Sequence, residues 1–261
     1  MSNWKKFEIE CTNYLRNNFG KQAEFEHYGG SDSTIPDILV KCRNGFNFYI
    51  EAKNTPAQCG QFVLLPNIER KCFEYSSLNN SPLNTFSKQI MKHMNCYFDA
   101  FRKAGKKGKN IDMNNGEKIF SEWIKEYYTN KGVKFFITNN FNIIPIERFD
   151  NFFNVSAIYR IKRSGSSEVG KSKISTVRDY ISNNYNSVSI HHKGGKLYVS
   201  SSTYLHNLRF SLGDNEYMFS KREDLYEIRK LSNTYNANVI FSINYTNLKG
   251  ISHSEFESYL H

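Results

Sequence analysis

Two acids and a lysine stand at the ends of neighbouring apolar runs: Asp37 precedes one run, and Glu51 and Lys53 end the next. Between the runs, residues 43–45 read Arg-Asn-Gly, a composition typical of a turn. A three-residue hairpin loop there places Asp37 across from Glu51. Strand alternation puts Glu51 and Lys53 on one face. The sequence therefore predicts two carboxylates and an amine within a few ångströms.

This arrangement predicts a site for phosphodiester hydrolysis. Two carboxylates, Asp37 and Glu51, with the backbone carbonyl of Ala52, form a hard oxygen set suited to Mg²⁺. Lys53 lies where it can orient or deprotonate a water, and a bound metal stabilises charge on an attacked phosphate. The alternative is an ordinary amphipathic hairpin with an exposed ion pair.

Two further residues are candidates for this site. Residues 3–18 read as a helix, and Glu10 lies about 60° from its apolar stripe, where it can bind metal through water, whereas Glu8 points further away. Residues 58–62 follow a proline and predict the start of a helix, on which Gln61 can bond a water or a phosphate. A surface glutamate and a helix-terminal polar residue are the respective alternatives.

The formal net charge of +10 favours a polyanionic partner. Cations concentrate in two segments that also contain small residues, 102–109 and 160–166, and small residues beside cations suit the approach of a phosphate backbone. A solvated loop is the alternative for each. The candidate nucleic-acid contacts are Lys106, Lys107, Arg160, Lys162, Arg163, Ser164, Ser166 and, in the polar run 31–34, Ser33.

The pattern predicts a mixed α/β first half and a second half that is mostly β with one helix near 222–231. The clearest boundary is near 138, which gives a catalytic region 1–138 and a region 139–261 with an additional subdomain around 167–227. Further helices are predicted after Ser81-Pro82, as an N-cap with proline, and near 117–130. Strands are predicted at 38–40, 46–50, 133–137, 142–146, 155–162, 196–200, 207–211, 216–220 and 237–243.

Composition excludes several classes of protein. Hydrophobic residues make up 39% of the chain, enough for a core, and no apolar run approaches the roughly 20 residues that span a bilayer. The start of the chain lacks the apolar segment of a secretion signal, so we expect a soluble cytoplasmic protein. Five cysteines without a Cys-x-x-Cys pair indicate buried free thiols rather than a disulfide framework or a zinc site.

The acidic pair and lysine resemble the motif of the PD-(D/E)xK nuclease superfamily, and longer strings resemble the HhaI-type restriction endonucleases. The strings that carry the likeness span most of 1–166 and 228–243. They are Asn3-Trp4-Lys5, Phe7-Glu8, Ser31-Asp32-Ser33-Thr34, Tyr49-Ile50-Glu51-Ala52-Lys53, Gln58-Cys59-Gly60-Gln61-Phe62-Val63-Leu64, Trp123-Ile124-Lys125-Glu126-Tyr127-Tyr128, Val133-Lys134-Phe135-Phe136-Ile137-Thr138, Tyr159-Arg160-Ile161-Lys162, Ser164-Gly165-Ser166 and Asn236-Ala237-Asn238-Val239-Ile240-Phe241-Ser242-Ile243.

The resemblance implies a type II enzyme that cuts duplex DNA at GCGC with Mg²⁺, acts as a monomer with one active site, and is paired with a cognate DNA methyltransferase. It implies a nuclease core, a mixed central sheet flanked by helices, followed by one or two smaller β-rich subdomains. DNA recognition is then expected in 139–261, with an additional DNA-binding subdomain around 167–227. Asp37, Glu51 and Lys53 match its catalytic trio. For a GC-only site, Arg160 and Arg163 are candidates for guanine and Lys162 for phosphate, with plain phosphate contacts as the alternative.

Two rival functions stay open at this stage. One is a repair or junction nuclease with the same core, which selects DNA structure rather than sequence. The other is a DNA-binding module with an inactive nuclease fold, against which the intact trio argues.

Overall fold

A computed structural model describes residues 3–29, 35–163, 165–232 and 235–261, without the side chains of Arg163 and Tyr235. These residues form seven α-helices: α1 (Asn3–Phe19), α2 (Thr85–Cys96), α3 (Phe98–Phe101), α4 (Gly116–Thr129), α5 (Phe149–Phe152), α6 (Ile174–Asn184) and α7 (His253–Glu257). Short 3₁₀ turns occupy Asn139–Phe141, Ile146–Arg148 and Lys171–Lys173. None of the described helices has the length and apolar character needed to cross a membrane.

The described residues also form sixteen strands in three sheets. The strands are β1 (Ala23–His27), β2 (Ile38–Cys42), β3 (Asn47–Lys53), β4 (Ala57–Asn67), β5 (Cys72–Tyr75), β6 (Lys109–Asn110), β7 (Val133–Thr138), β8 (Asn142–Pro145), β9 (Phe153–Arg163), β10 (Ser166–Glu168), β11 (Val188–Lys193), β12 (Lys196–Ser201), β13 (Arg209–Leu212), β14 (Asn215–Arg222), β15 (Leu225–Leu231) and β16 (Tyr235–Tyr245).

The first sheet has the order β1-β2-β3-β7-β8, and the second sheet has the order β5-β4-β16-β9-β6. Within the first sheet β3 and β7 run parallel, while the other neighbours are antiparallel. The third sheet has the order β11-β12-β15-β14-β13, and β10 pairs with β15. The predicted mixed α/β fold class is confirmed.

The chain divides into two compact units. The larger unit holds the first and second sheets and consists of the chain up to Arg160 together with Ala237–His261. The smaller unit, Ile161–Asn236, holds the third sheet. This division differs from the predicted boundary near 138, because β8 continues the first sheet and β9 returns into the second. The smaller unit includes the predicted additional subdomain at 167–227.

The β2–β3 hairpin has the predicted register: Ile38 pairs with Ile50, and Val40 pairs with Phe48. The register follows from the short turn and from the apolar alternation, since a slip by one residue would turn the buried side chains of both strands to the opposite face. Gly45 ends the turn with φ +86°, a left-handed conformation that suits glycine.

One face of this hairpin packs on α1. Ile50 and Val40 join a buried cluster with Cys11, Leu15 and Phe19 of that helix. These helix residues recur at spacings of four, so they form one stripe that the sheet covers. The predicted helix over 3–18 is confirmed.

Helix α4 packs between the two sheets of the larger unit. Trp123 is fully buried and stacks on Phe241 of β16, with ring centroids 4.4 Å apart, and it also packs on Phe62 of β4 at 5.4 Å. On the side of the first sheet, Tyr128 contacts Phe136 of β7 edge to face. The helix therefore fixes the position of β4 relative to the hairpin.

The smaller unit has its own core. Helix α6 places Val177 and Ile181 against Leu197 and Phe219 of the third sheet. Glu227 of β15 is buried and pairs with the guanidinium groups of Arg222 and Arg229, at 2.9 and 2.6 Å. A buried carboxylate held by two cations satisfies its hydrogen-bonding capacity.

Three local predictions are wrong. The predicted helix at 222–231 is strand β15, because a tight turn with Glu223 at φ +52° pairs this segment with β14. Residues 58–62 lie in strand β4, where β16 supplies the hydrogen-bonding partners. Helix α2 begins at Thr85 rather than near Ser81, since Asn84 and Ser87 form a capping box.

The cysteines are free thiols, as expected, although only Cys11, Cys42 and Cys59 are buried.

Gly45→Ala should destabilise the protein by about 1 kcal/mol, which lowers Tm by about 2–4 °C. A Cβ there meets no atom within 4 Å, so the cost is the left-handed backbone alone. Thermal unfolding measures it, with Gly105→Ala as the control, because Gly105 has equally open surroundings and no positive φ. Equal Tm values for both variants would contradict the strain argument.

Candidate active site

A cavity of about 450 Å³ opens in the larger unit where β3 ends. The lining residues come from α1, the β2–β3 hairpin, β4 and α4. They are Trp4, Phe7, Glu8, Ile35, Asp37, Glu51, Ala52, Lys53, Asn54, Ala57, Gln58, Gly60, Gln61, Tyr127 and Tyr128.

The structure brings the predicted trio together in this cavity. Lys53 Nζ lies 2.6 Å from Glu51 Oε1, and both carboxylates are buried, with Asp37 8% and Glu51 5% exposed. The backbone N–H of Ala52 donates to Asp37 Oδ2 at 2.9 Å, which ties the start of β2 to the end of β3. The ion pair is therefore buried rather than exposed, which argues against an ordinary surface hairpin.

Burial and charge determine the protonation of the trio. Burial first, and the negative charge of Glu51 second, raise the pKa of Asp37 well above its usual value, against the smaller opposing effect of Lys53. Burial by itself would lower the pKa of Lys53, but the attraction of Glu51 and Asp37 outweighs it and raises that pKa. Lys53 is therefore an ammonium ion at neutral pH.

The end of β3 is anchored by the neighbouring parallel strand. Thr138 Oγ1 of β7 donates to the carbonyl of Lys53 at 2.7 Å. The next residue, Asn139, accepts from the backbone N–H of Thr55 at 2.8 Å and donates to its carbonyl at 3.0 Å. These bonds fix the backbone on which the lysine and the glutamate stand.

The helical acid at the cavity is Glu8, whereas the predicted Glu10 does not line it. Glu8 is buried, and its Oε2 lies 3.0 Å from Nε2 of His27 on β1. Glu10 is exposed, and its Oε1 lies 3.7 Å from Nζ of Lys6, which is exposed as well. The difference arises because α1 packs with Cys11 and Leu15 on the sheet, which turns Glu8 inward and Glu10 outward.

Two carboxylates converge in front of Gly29. A Cβ atom on this glycine would lie 2.8 Å from Glu8 Oε2 and 3.0 Å from Asp37 Oδ1. Gly29 thus leaves no room for a side chain, and one oxygen of each carboxylate packs against it. Asp37 uses its other oxygen for Ala52, so Oδ1 is free of that bond.

The oxygen donors that line the cavity fit a divalent cation. Glu8, Asp37, Glu51 and the carbonyl of Ala52 are hard ligands, which Mg²⁺ and Ca²⁺ prefer. Within the described ranges no three His, Cys, Asp or Glu side chains form a ready-made metal cluster. A few protein oxygens completed by water suit Mg²⁺, which keeps several waters when bound.

Gln61 lines the cavity from β4, beside Gln58. Gln58 Nε2 donates to Gln61 Oε1 at 3.2 Å, and so does Nδ2 of Asn238 on β16, also at 3.2 Å. The predicted helix start is thus replaced by a strand, but the residue still lines the cavity with the trio.

The predicted nucleic-acid contacts lie in several places. Lys106 and Lys107 are exposed in the loop between α3 and β6. On β9, Arg160 is half-buried and Lys162 is exposed. Ser166 is engaged within the smaller unit, because its hydroxyl accepts from Arg229 Nε at 3.2 Å. Ser33 and Ser164, together with the side chain of Arg163, lie outside the described residues.

Sequence reasoning placed Glu10 rather than Glu8 at the site, which is wrong for the cavity, and it missed His27 and Gly29. The histidine at the end of β1 carried no spacing signal. It also missed Asn238, which reaches Gln61 from 177 residues further along the chain. Long-range pairing of this kind leaves no local pattern.

A comparison with solved structures finds a match to the HhaI endonuclease in complex with DNA. The two chains share 39% sequence identity with a TM-score of 0.82, and the match covers 99% of each. No family model matches this chain. No curated protein matches it either.

Asp37→Asn should raise the Tm of the metal-free protein above pH 7. The folded state raises the pKa of Asp37, so this group contributes stability at low pH that is lost as pH rises from the unfolded pKa to the folded pKa. Asparagine removes the cost of the buried charge and keeps an oxygen for the Ala52 N–H.

Thermal unfolding in EDTA from pH 5 to pH 8 measures this effect, with Glu10→Gln as the control. The Tm advantage of Asp37→Asn should shrink towards pH 5. An advantage that is absent, or that grows on acidification, would show that burial does not raise this pKa.

Proposed function

This chain belongs to the family of HhaI-type restriction endonucleases, and from that premise we propose that it is a Mg²⁺-dependent type II enzyme that cuts duplex DNA at GCGC. The observation that carries the proposal is the buried cluster of Asp37, Glu51 and Lys53 in a cavity, within a chain that matches an endonuclease over 99% of its length. The trio follows the pattern of the PD-(D/E)xK superfamily, to which we assign it.

Glu8, Asp37, Glu51 and the Ala52 carbonyl are the residues that would hold Mg²⁺. When bound, the ion would supply Lewis acidity and stabilise charge that develops on the phosphate. Glu8 and Asp37 both place an oxygen against Gly29, and a divalent cation held by both would offset the repulsion between these carboxylates.

Lys53 acts as a donor in this proposal. Its ammonium group lies beside Glu51, where it can orient a water or stabilise a phosphate oxygen. Its hydrogen bond to Glu51 at 2.6 Å, together with the anchoring of its carbonyl by Thr138, restricts where the ammonium can lie. Positioning of this kind contributes to catalysis by pre-organising the charge.

The hydrolysis itself forms a bond from the water oxygen to phosphorus and breaks the bond from phosphorus to one sugar oxygen. One proton of the water goes to that sugar oxygen, and the other leaves with the new phosphate monoester. Gln61 borders the same cavity and is assigned as a donor to the phosphate or to the water.

Base recognition and phosphate contacts are assigned to the basic residues. Arg160 is proposed to reach guanine and Lys162, Lys106 and Lys107 to reach phosphates, because arginine forms paired hydrogen bonds with guanine and lysine acts as a point charge. Arg163, Ser164, Ser166 and Ser33 keep their assignment as DNA contacts from the sequence. The exposure of both lysines at 106–107 supports such a role.

Further parts of the proposal rest on the family. We propose that the enzyme acts as a monomer, cuts the two strands one after the other, works in the cytoplasm and is accompanied by a methyltransferase that protects host DNA.

The test is a digest of a sequenced plasmid with Mg²⁺ or with EDTA. Discrete fragments whose ends map to GCGC, formed only with Mg²⁺, are expected. A smear or cutting at branched DNA would instead favour a repair or junction nuclease, and fragments with EDTA would remove the metal from the mechanism.

Lys53→Ala should cut roughly 10²–10⁴-fold more slowly while binding the same duplex. Lys134→Ala, an exposed lysine on β7, is the matched control and should cut normally.

Glu8→Gln should raise the Mg²⁺ concentration needed for half-maximal cleavage about 10- to 100-fold, because it removes a carboxylate oxygen next to Asp37. Glu10→Gln, two residues away on the exposed side, should change it less than about 2-fold, since exposed ion pairs contribute little. Calorimetric titration of the DNA-free proteins with Mn²⁺ gives the same comparison without cleavage. Equal behaviour of the two variants would remove Glu8 from the metal site.

A further inference from the structure

Strand β4 contains a bulge opposite β16. Ile240 pairs with Gln61, but Ser242 pairs with Gln58, so two residues of β4 face one residue of β16 between these pairs. The extra residue is accommodated at Gly60, which has φ +92°. A Cβ there would lie 2.7 Å from Cζ3 of Trp123. The strand therefore lies so close to α4 that only glycine fits at this position.

The bulge brings two glutamines to the same side. In a regular strand, residues three apart point to opposite faces. Here Gln58 and Gln61 are both exposed and line the cavity, while Cys59 and Phe62 are buried. The one-residue shift therefore places a pair of amides in the wall beside the trio.

The carbonyl of Gln61 is held from two directions. Gln58 Nε2 and Asn238 Nδ2 both donate to Gln61 Oε1, each at 3.2 Å, and Asn238 is buried with 7% exposure. Among the residues that the structure describes, none accepts a hydrogen bond from Nε2 of Gln61. Its carbonyl is thus occupied by the protein, and its amide hydrogens are left for a ligand of the cavity.

This polarity suits one class of ligand. A phosphodiester offers oxygen acceptors and no donors, so an amide that presents its NH₂ group binds it, and the same amide rotated by 180° repels it. One of the three hydrogens of the Lys53 ammonium is directed at Glu51, so a second donor adds to what the lysine can supply at the phosphate. A neutral donor also adds no positive charge that would compete with a metal ion.

We propose that Asn238, with Gln58, is a positioning residue that fixes the Gln61 amide so that its NH₂ group donates to a non-bridging oxygen of the phosphate undergoing hydrolysis. This inference rests on the proposed function and adds to it the residue that sets the orientation of the donor. Asn238 itself does not line the cavity and acts through Gln61.

The experiment is a double-mutant cycle with Asn238→Ala and Gln61→Ala, measured as the single-turnover cleavage rate of a GCGC duplex at saturating enzyme. Each single variant should cut roughly 10- to 100-fold more slowly, the loss expected for a hydrogen bond to a charged group. In the Gln61→Ala background, Asn238→Ala should add less than about 2-fold. Asn244→Ala, an exposed asparagine on the same strand, is the matched control and should cut like the wild type.

Asn238→Asp tests the polarity directly. It keeps the shape of the side chain but offers an acceptor, so Gln61 should rotate and turn its carbonyl to the phosphate, and the rate should fall as far as in Gln61→Ala. In the Gln61→Ala background, Asn238→Asp should leave the cleavage rate unchanged. A loss that persists there would mean that the Asp charge or a structural defect acts without Gln61, which overturns the proposal.

The affinity for the same duplex without divalent ions is measured for all variants. A wild type that neither binds nor cuts duplex DNA overturns both the proposed function and this inference. A wild type that cuts normally, with Asn238→Ala equally damaging in both backgrounds or harmless alone, overturns this inference only. If the protein binds DNA but cuts at another sequence, the coupling is read from binding and from cleavage at that site.

Discussion

The site depends on two carboxylates that are held out of water beside a single ammonium. Asp37 and Glu51 repel each other, and burial makes their charges more costly, as the raised pKa of Asp37 shows. Lys53 offsets only part of this cost, and a bond from the Ala52 N–H offsets another part. The hairpin must therefore force the acids together, because this arrangement is unfavourable by itself. In the function proposed for this chain, a divalent cation would offset that cost.

The rest of the larger unit keeps that hairpin rigid and supplies the opposite wall of the cavity. Helix α4 packs on both sheets through Trp123 and Tyr128, and Trp123 leaves room at Gly60 for the bulge of β4. The same packing brings Gln61 to the trio. A hydrophobic contact thus decides the position of a polar group, because a closely packed core transmits the shape of one element to its neighbour.

The division into two units separates chemistry from part of the proposed DNA contact. The cavity and its lining belong to the larger unit, whereas Lys162 and Ser166 belong to the smaller unit, which has its own core and its own buried cluster around Glu227. The smaller unit therefore has buried contacts of its own, apart from the residues of the trio. The match over the whole chain to an endonuclease bound to DNA includes both units.

The sequence by itself determined the hairpin register, and with it the meeting of Asp37, Glu51 and Lys53, because turn length and strand alternation are local properties. It did not determine which acid of α1 faces the site. Glu8 and Glu10 point to nearly opposite sides of the helix, and the packing of Cys11 and Leu15 on the sheet turns the side with Glu8 inward. Nor did it reveal the bulge, which exists because β4 pairs with a strand more than 170 residues away. Those choices are made by contacts between distant segments, and only the tertiary structure contains them.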